Sequence, residues 1–367
     1  MLKDAVKQFQ SQFKTEAECI AFMEEARWPN GFRCPSCDCS DAYSISTRTL
    51  PLYECKGCNG QTSLTSNTMM HKSRTPIYKW LLTIFLVSSC EGSVNAVQLS
   101  KLLQVTYKTA WSMLHKIRQV ISDWDTDQLL SGDVEAKHDI YMKQIIITDE
   151  RMKRERSIVV ARGNNETEQQ LKSTDQVASG ITNAPYYKIK LIEREGEVRR
   201  ALSDAEQRLF IRNCCHPEVK SLQFHVKHTR NRKFPYGDIK DYWVDGYESG
   251  DTSEKFRAYG WNAAAVNTKI KQCPFLFPLA IIATEAFRWV AETFHGIGMK
   301  YAQNYLDEYC FRMNYSWRQS MSPMSPLVCL LQLVLKGTSN LNPTSTQSLK
   351  RRQNLVGSDN SQSITAA

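Results

Sequence analysis

Four cysteines have the spacing of metal chemistry. Cys34-Pro-Ser-Cys37 is followed, after seventeen residues, by Cys55-Lys-Gly-Cys58. Each Cys-x2-Cys knuckle turns tightly enough to aim two thiolates at one ion. The spacer is long enough for a short hairpin that brings the second knuckle opposite the first. Four sulfurs then close a tetrahedron around Zn2+ and leave no position for water. Such a site folds a small module and does no chemistry itself. Cys39 lies beside the first knuckle as a competing thiol, but it breaks the x2 spacing.

A second constellation is basic. Residues 66–121 hold seven Lys or Arg (Lys72, Arg74, Lys79, Lys101, Lys108, Lys116, Arg118) against one acid, Glu91. A helix capped by Thr106 would place Ala110, Met113, Leu114, Ile117 and Val120 on one apolar face. Tyr107, Lys108, Trp111, Ser112, His115 and Arg118 would then be exposed on the other. These are phosphate and base-edge readers in type. Before it, Val94, Val97, Leu99, Leu102 and Leu103 predict another short helix, with Gln104-Val105 as a tight turn. The pair reads as a helix-turn-helix. The plainer alternative is a solvated basic face on an ordinary helical domain.

Other elements must hold these groups in place. Thr15-Glu-Ala-Glu18 is a capping box, and Cys19, Ile20, Phe22 and Met23 follow at helical spacing until Trp28-Pro29. Residues 42–65, rich in Thr, Tyr and Ser, predict the short strands of the ribbon. Thr75-Pro76 predicts a helix start with Thr as cap, and Ile77, Trp80, Leu81, Ile84 and Phe85 form its stripe. Residues 139–148, 156–160, 186–192 and 222–226 read as strands. Ser203-Asp-Ala-Glu206 is a second capping box. Residues 278–289 read as helix, with Trp289, Phe294, Tyr305 and Cys310 as packing residues. Residues 164–182 read as a polar loop, and those beyond Lys336 as a disordered tail. Cys214-Cys215-His216 with His225 and His228 fits no zinc template, and Lys227, Arg230, Arg232 and Lys233 would oppose a cation there.

Bulk properties narrow the class. The chain has 367 residues, 42% hydrophobic and 10% aromatic, which is the composition of a folded protein with two or three domains. No run of eighteen apolar residues predicts a membrane span, and the N-terminus lacks the apolar core of a secretory signal. Twelve cysteines in such a chain point to thiols and metal. A net charge of +9 favours a polyanionic partner.

Several stretches together resemble a known family. Arg27-Trp28-Pro-Asn-Gly-Phe-Arg-Cys-Pro, Gly60-Gln-Thr-Ser-Leu-Thr, Tyr107-Lys-Thr-Ala-Trp-Ser-Met-Leu-His-Lys-Ile-Arg118, Thr293-Phe-His-Gly296 and Tyr305-Leu-Asp-Glu-Tyr-Cys-Phe-Arg-Met-Asn314 are similar to insertion-sequence transposases with an N-terminal zinc ribbon and an RNase H-like DDE core. That group is related to the eukaryotic Merlin elements. The resemblance covers about residues 10–318 and is weak in the middle. It implies phosphoryl transfer at DNA ends, with acids holding two Mg2+ or Mn2+ ions about 4 Å apart.

By the same resemblance, Asp245 in Val244-Asp-Gly-Tyr247 matches the second acid, although a turn-forming Asp-Gly explains it as well. Glu285 falls at the third acid, and Arg288 stands near a phosphate-contacting Lys. The first acid departs from the pattern. Gly132-Asp-Val-Glu135-Ala-Lys137-His138 places Lys137 where the family has Asp. Asp139, two residues on and therefore on the same strand face, is the expected replacement, with Glu135 also on that face.

The expected architecture is a multidomain α+β chain: an N-terminal zinc ribbon, a helical helix-turn-helix domain and an α/β RNase H-like core. Its divisions are 1–66, 67–130 and 131–320, with a tail at 336–367. The expected function is a DNA transposase that binds element ends on double-stranded DNA as a homo-oligomer. The alternative is a catalytically degenerate, transposase-derived DNA-binding regulator. The expected compartment is a reduced one, cytoplasm or nucleoid, or the nucleus for a eukaryotic source.

Overall fold

A computed structural model describes residues 2–45, 50–89, 94–141, 154–165, 185–194, 198, 200–217, 219, 221–225, 276–316 and 325–336. Two helices lead in, α1 (Leu2–Gln12) and α2 (Glu16–Arg27). Thr15 caps α2 by accepting from the Glu18 amide at 3.2 Å. Glu18 reaches back to the Lys14 amide at 2.7 Å, one residue before the cap expected for a reciprocal box.

The ribbon follows as three antiparallel strands, β1 (Ala42–Ile45), β2 (Leu52–Cys55) and β3 (Gln61–Ser63), in that order. The spacer between the knuckles therefore folds as the expected hairpin, with Ala42 opposite Cys55.

Helix α3 (Ile77–Ser88) starts one residue later than its sequence implies. Pro76 is the N-cap and has no side-chain bond, so Thr75 lies too far out to cap. The orphan amide of Ile77 is met instead by Glu16 of α2 at 2.7 Å. Helix α4 (Ala96–Leu103) opens on an Asn95/Gln98 capping box and ends at Gln104, whose left-handed backbone (φ 51, ψ 53) turns the chain. Thr106 then caps α5 (Tyr107–Asp127).

One apolar core joins α1 to α5 with α9 (Pro326–Leu335), a helix the sequence reading did not anticipate. Phe9, Met23, Trp80, Leu86, Leu114, Ile117 and Leu331 all meet there. Burying a side chain of this size contributes about 2 kcal/mol.

The second half is built on a four-stranded sheet. Strands β4 (Leu130–Tyr141), β5 (Arg156–Asn165), β6 (Tyr186–Ile192) and β7 (Ser221–His225) lie in the order β6-β5-β4-β7. β4, β5 and β6 are antiparallel neighbours, and β7 runs parallel to β4. The connection from β6 to β7 carries α6 (Asp204–Cys214), whose Ser203/Glu206 capping box forms as expected.

One sheet face packs Val134, Ala136 and Val159 on Phe210 and Ile211 of α6. The other packs Ile158, Val160 and Ile189 on α7 (Leu276–Phe294) and α8 (Ala302–Ser316), through Leu279, Ala283, Leu306 and Cys310. A 3-10 turn, Met299–Tyr301, links α7 to α8.

β4 begins nine residues before the strand expected at Asp139. A bulge between Ser131 and Glu135 breaks the simple alternation that pattern reading relies on. Gly132 takes φ +71 there, and a Cβ on it would lie 2.7 Å from Asn164 Nδ2. Among the described residues no helix is long and apolar enough to cross a membrane. Asn164 and Asn165, expected at the start of a loop over 164–182, instead close β5 by pairing with Ser131 and Leu130. The rest of that loop, the expected strand residues 142–148 and the tail beyond Lys336 lie outside the described residues.

Candidate zinc centre and nucleic-acid interface

The two knuckles fold as copies of one turn. Asp38 and Asn59, each following the second cysteine of its pair, take left-handed backbones (φ 58 and 55). Their amides return to the carbonyls of Cys34 and Cys55, each at 2.9 Å. Asp and Asn tolerate this conformation better than most side chains. The turns bring Cys34, Cys37, Cys55 and Cys58 together, with all four sulfurs within 4.8 Å of one another.

Cys34 Sγ is 3.6 Å from Cys58 Sγ, and Cys37 Sγ is 3.5 Å from Cys55 Sγ. A tetrahedral Zn–S bond of about 2.3 Å requires sulfurs about 3.8 Å apart, so the cluster fits a structural zinc ion. The amides of Cys58 and then Gly57 lower the Cys55 thiol to about 6, against the opposing effect of burial. That favours the thiolate at Cys55. The Cys39 amide favours it at Cys37 too, but hydrogen bonding with Cys55 and Cys58 outweighs this and pushes Cys37 up to about 12. Cys39 is outside the group, and its thiol points to the Asp41 carbonyl at 3.8 Å.

The ribbon is fastened to α2. Trp28, Phe32 and Tyr53 pack their rings 5.0–5.2 Å apart. Tyr53 donates to Glu24 at 2.6 Å, and Arg27 donates to the carbonyls of Ser63, Leu64 and Ser66.

The expected DNA-reading face of α5 is exposed only at its start. Tyr107 is 57% exposed and Lys108 is exposed. Trp111, Ser112 and His115 are half-buried. Trp111 stacks on His115 with centroids 4.9 Å apart, and Tyr301 meets both rings edge-on.

Arg118, expected on the surface, is 2% exposed. Its Nε is 2.5 Å from Glu308 Oε2, and its guanidinium lies 4.2 Å from the Tyr305 ring centroid. Periodicity identified the apolar face of α5 and took the opposite face as solvated. That face carries α8, which no local pattern in α5 announces.

Helix α8 is where the motif Tyr305 to Asn314 finds its uses. Glu308 also takes Arg312 at 2.9 Å, and Arg312 continues to the Ser89 carbonyl at the end of α3. Asp307 holds Lys190 of β6 at 2.7 Å, and Lys190 holds Asp125 of α5 at 2.6 Å. Burial opposes the Asp125 charge, but Lys188 and Lys190 outweigh it and lower its pKa to about 2. Asn314 bonds the Tyr187 amide and carbonyl at 2.8 and 2.9 Å, and Gln303 bonds Leu191 N–H and the Ile189 carbonyl. Side-chain amides thereby cover the edge of β6, which has no strand neighbour on that side in the described sheet.

The acids fare differently. Lys137 and Asp139 share the β4 face that packs towards α7, and their side chains form an ion pair at 3.2 Å. Asp139 also accepts from the Ile140 amide at 2.8 Å. Glu135 lies further along the same face, buried between Arg162 of β5 and Gln223 of β7 in register. Burial raises its pKa, and one oxygen of each of Glu135 and Gln223 has no hydrogen-bond partner.

Glu285 is 47% exposed on α7 and pairs with Arg288 at 3.6 Å. Asp245 lies outside the described residues, as do His228, Arg230, Arg232 and Lys233. Among the described residues the four cysteines are the sole group of three or more ligating side chains, so no carboxylate cluster forms there. Cys214 and Cys215 are buried in the core beside α6, as packing rather than ligands.

Comparison with known proteins agrees with the ribbon. Residues 14–61 match the transposase zinc-ribbon domain of the IS1595 type. The chain is also 26% identical over 110 residues to an uncharacterised protein in transposable element ISH50 of Halobacterium salinarum. That alignment covers 30% of this chain and 37% of the relative, so little over a third of the relative is matched. No solved structure matches the chain.

Proposed function

We propose that this chain is a DNA transposase that binds element ends through its N-terminal half and cuts and joins strands with Mg2+ or Mn2+. The observation that carries the reading is the four-sulfur ribbon, whose turns and spacing fall within the stretch that matches a transposase zinc-ribbon domain. The likeness to an insertion-element protein points the same way.

The sheet supports an RNase H-like core over 131–320. Three antiparallel strands are followed by a crossover helix and a fourth strand parallel to the first. The α4–α5 pair, with its left-handed turn at Gln104, supports a helix-turn-helix reading for 67–130. Asp245, Glu285 and one of Asp139 or Glu135 are the proposed ion-binding acids, and pairing two ends calls for a homo-oligomer.

The Lys137–Asp139 ion pair favours a second reading, a DNA-binding regulator that no longer cuts. A protonated Lys cannot ligate a cation, and its charge opposes one nearby.

The test uses the full zinc-loaded chain and duplexes spanning the DNA that flanks its coding sequence. A transposase binds these ends with affinity that falls steeply with salt and nicks them only with Mg2+ or Mn2+. Asp245→Asn abolishes nicking and spares binding. Tight binding without nicking at any metal concentration selects the regulator. No affinity for duplex in dilute buffer ends both readings.

A further inference from the structure

Along α5, Tyr107, Trp111 and His115 recur every fourth residue, which places three rings on one side of the helix. The inner part of the row is built. Trp111 and His115 stack with planes 18° apart, and Tyr301 closes on His115 with centroids 4.6 Å apart. Beyond them Arg118 packs on the rings of Tyr305 and Phe294. The outer end is open, because Tyr107 keeps 57% of its surface in water.

The surroundings are cationic. Lys108 and Lys300 are exposed, and Lys300 sits 5.3 Å from the Tyr301 ring centroid. Burial, then the charges of Arg118 and Lys300, lower the His115 pKa.

The covering of α5 by residues 299–305 keeps the helix from lying lengthwise in a major groove. Within a duplex, base faces are hidden in the stack and cannot meet an aromatic ring. A row of rings with one free end and flanking ammonium groups instead suits an unpaired base and its phosphates, since stacking tolerates any base and lysines track the backbone.

We propose that Tyr107 and Trp111, with Lys108 and Lys300, form a stacking site for an unpaired nucleotide at the end of a DNA duplex. The proposal rests on the DNA-binding reading above and names the form of DNA that reaches this site.

The experiment compares two fluorescent probes against the full zinc-loaded chain, a blunt duplex and the same duplex with a short thymidine overhang. The overhang is expected to bind roughly ten-fold more tightly. Tyr107→Ala should bring that ratio close to one, and Tyr107→Phe and Tyr107→Trp should keep it. Lys300→Ala should lower affinity for the overhang more than for the blunt probe. A ratio of one in the native protein overturns the proposal, as does a ratio unmoved by Tyr107→Ala. Failure to bind either probe overturns the DNA-binding reading and the stacking site with it. Equal, salt-sensitive binding to both probes removes the stacking site alone.

Discussion

Arg118 Nε lies 2.5 Å from Glu308 Oε2, across 190 residues of sequence and out of contact with water. With Arg312 on the same carboxylate and its far end on the Ser89 carbonyl, this pair ties α5, α8 and α3 at one point. Removing one partner of a buried pair leaves the other charged and uncompensated. Arg118→Met should therefore destabilise the fold by about 3–5 kcal/mol in urea unfolding. A surface DNA contact would behave in the opposite way, with stability kept and the salt dependence of DNA binding reduced. That second outcome would contradict the buried position.

What the sequence made legible was what depends on neighbours along the chain. The knuckles, the Ser203 capping box, the Thr106 cap and strand β6 need only a few adjacent residues each. What stayed hidden depends on distant partners. Arg118 and Trp111 read as polar or amphipathic surface because nothing near them shows that residues 294–308 return to cover them. Thr75-Pro76 looked like a cap, but the carboxylate that serves α3 comes from Glu16. Helix α9 is a short apolar run after a polar stretch, and it becomes meaningful only when packed on α2, α3 and α5. In the candidate site, the zinc ligands could be read from spacing alone. Alternation also put Glu135, Lys137 and Asp139 on one strand face, but the ion pair that joins Lys137 to Asp139 was not legible there.

Among the described residues the ribbon has no apolar core of its own comparable to the two beside the sheet, so zinc should hold it together. The purified chain is expected to carry one zinc ion. Cys37→Ser or Cys58→Ser should lose the ion, whereas Cys39→Ser should keep it, as measured by a colorimetric zinc assay after denaturation. Stripping with a strong chelator should expose Tyr53 and Trp28, seen as a red shift in fluorescence. Structural zinc in small modules is worth about 10 kcal/mol or more, so partial retention of ribbon structure without metal is not expected. Loss of zinc from the Cys39 variant would refute the four-ligand assignment.

His138 should make stability depend on pH. Its Nε2 is 2.8 Å from Ser157 Oγ in a buried position. Burial, followed by the charges of Arg194 and Lys137, outweighs Asp139 and Glu206 and lowers the imidazole to about 4. In the unfolded chain it titrates at about 6.5. Between those values the unfolded chain binds a proton that the folded chain refuses. Stability from this group is thus complete above about pH 6.5 and falls as the pH drops towards 4, by on the order of 3 kcal/mol. Denaturant midpoints measured from pH 7 to 4.5 should fall steeply for the native chain. They should fall less for His138→Gln, which cannot take up the proton. Equal slopes would show that other groups set the dependence.

Lys137 and Asp139 decide whether the β4 face can serve as a metal vertex. Their ion pair is partly shielded, with the side chains 16% and 26% exposed, so water does not fully screen it. An ammonium 3.2 Å from the carboxylate occupies the position a divalent ion would need and repels the ion as it approaches. Lys137→Ala frees the carboxylate without adding bulk to the face. If Asp139 is the vertex, Mn2+ should bind roughly ten- to a hundred-fold more tightly in isothermal titration, equivalent to about 1.4–2.7 kcal/mol. Adding Asp139→Asn to Lys137→Ala should cancel the gain. If the gain survives that second change and disappears with Glu135→Gln, the buried carboxylate beside Gln223 is the ligand instead. If Lys137→Ala binds Mn2+ no better than the native chain, the lysine is not what keeps metal away. The regulator reading would then have to stand on other residues.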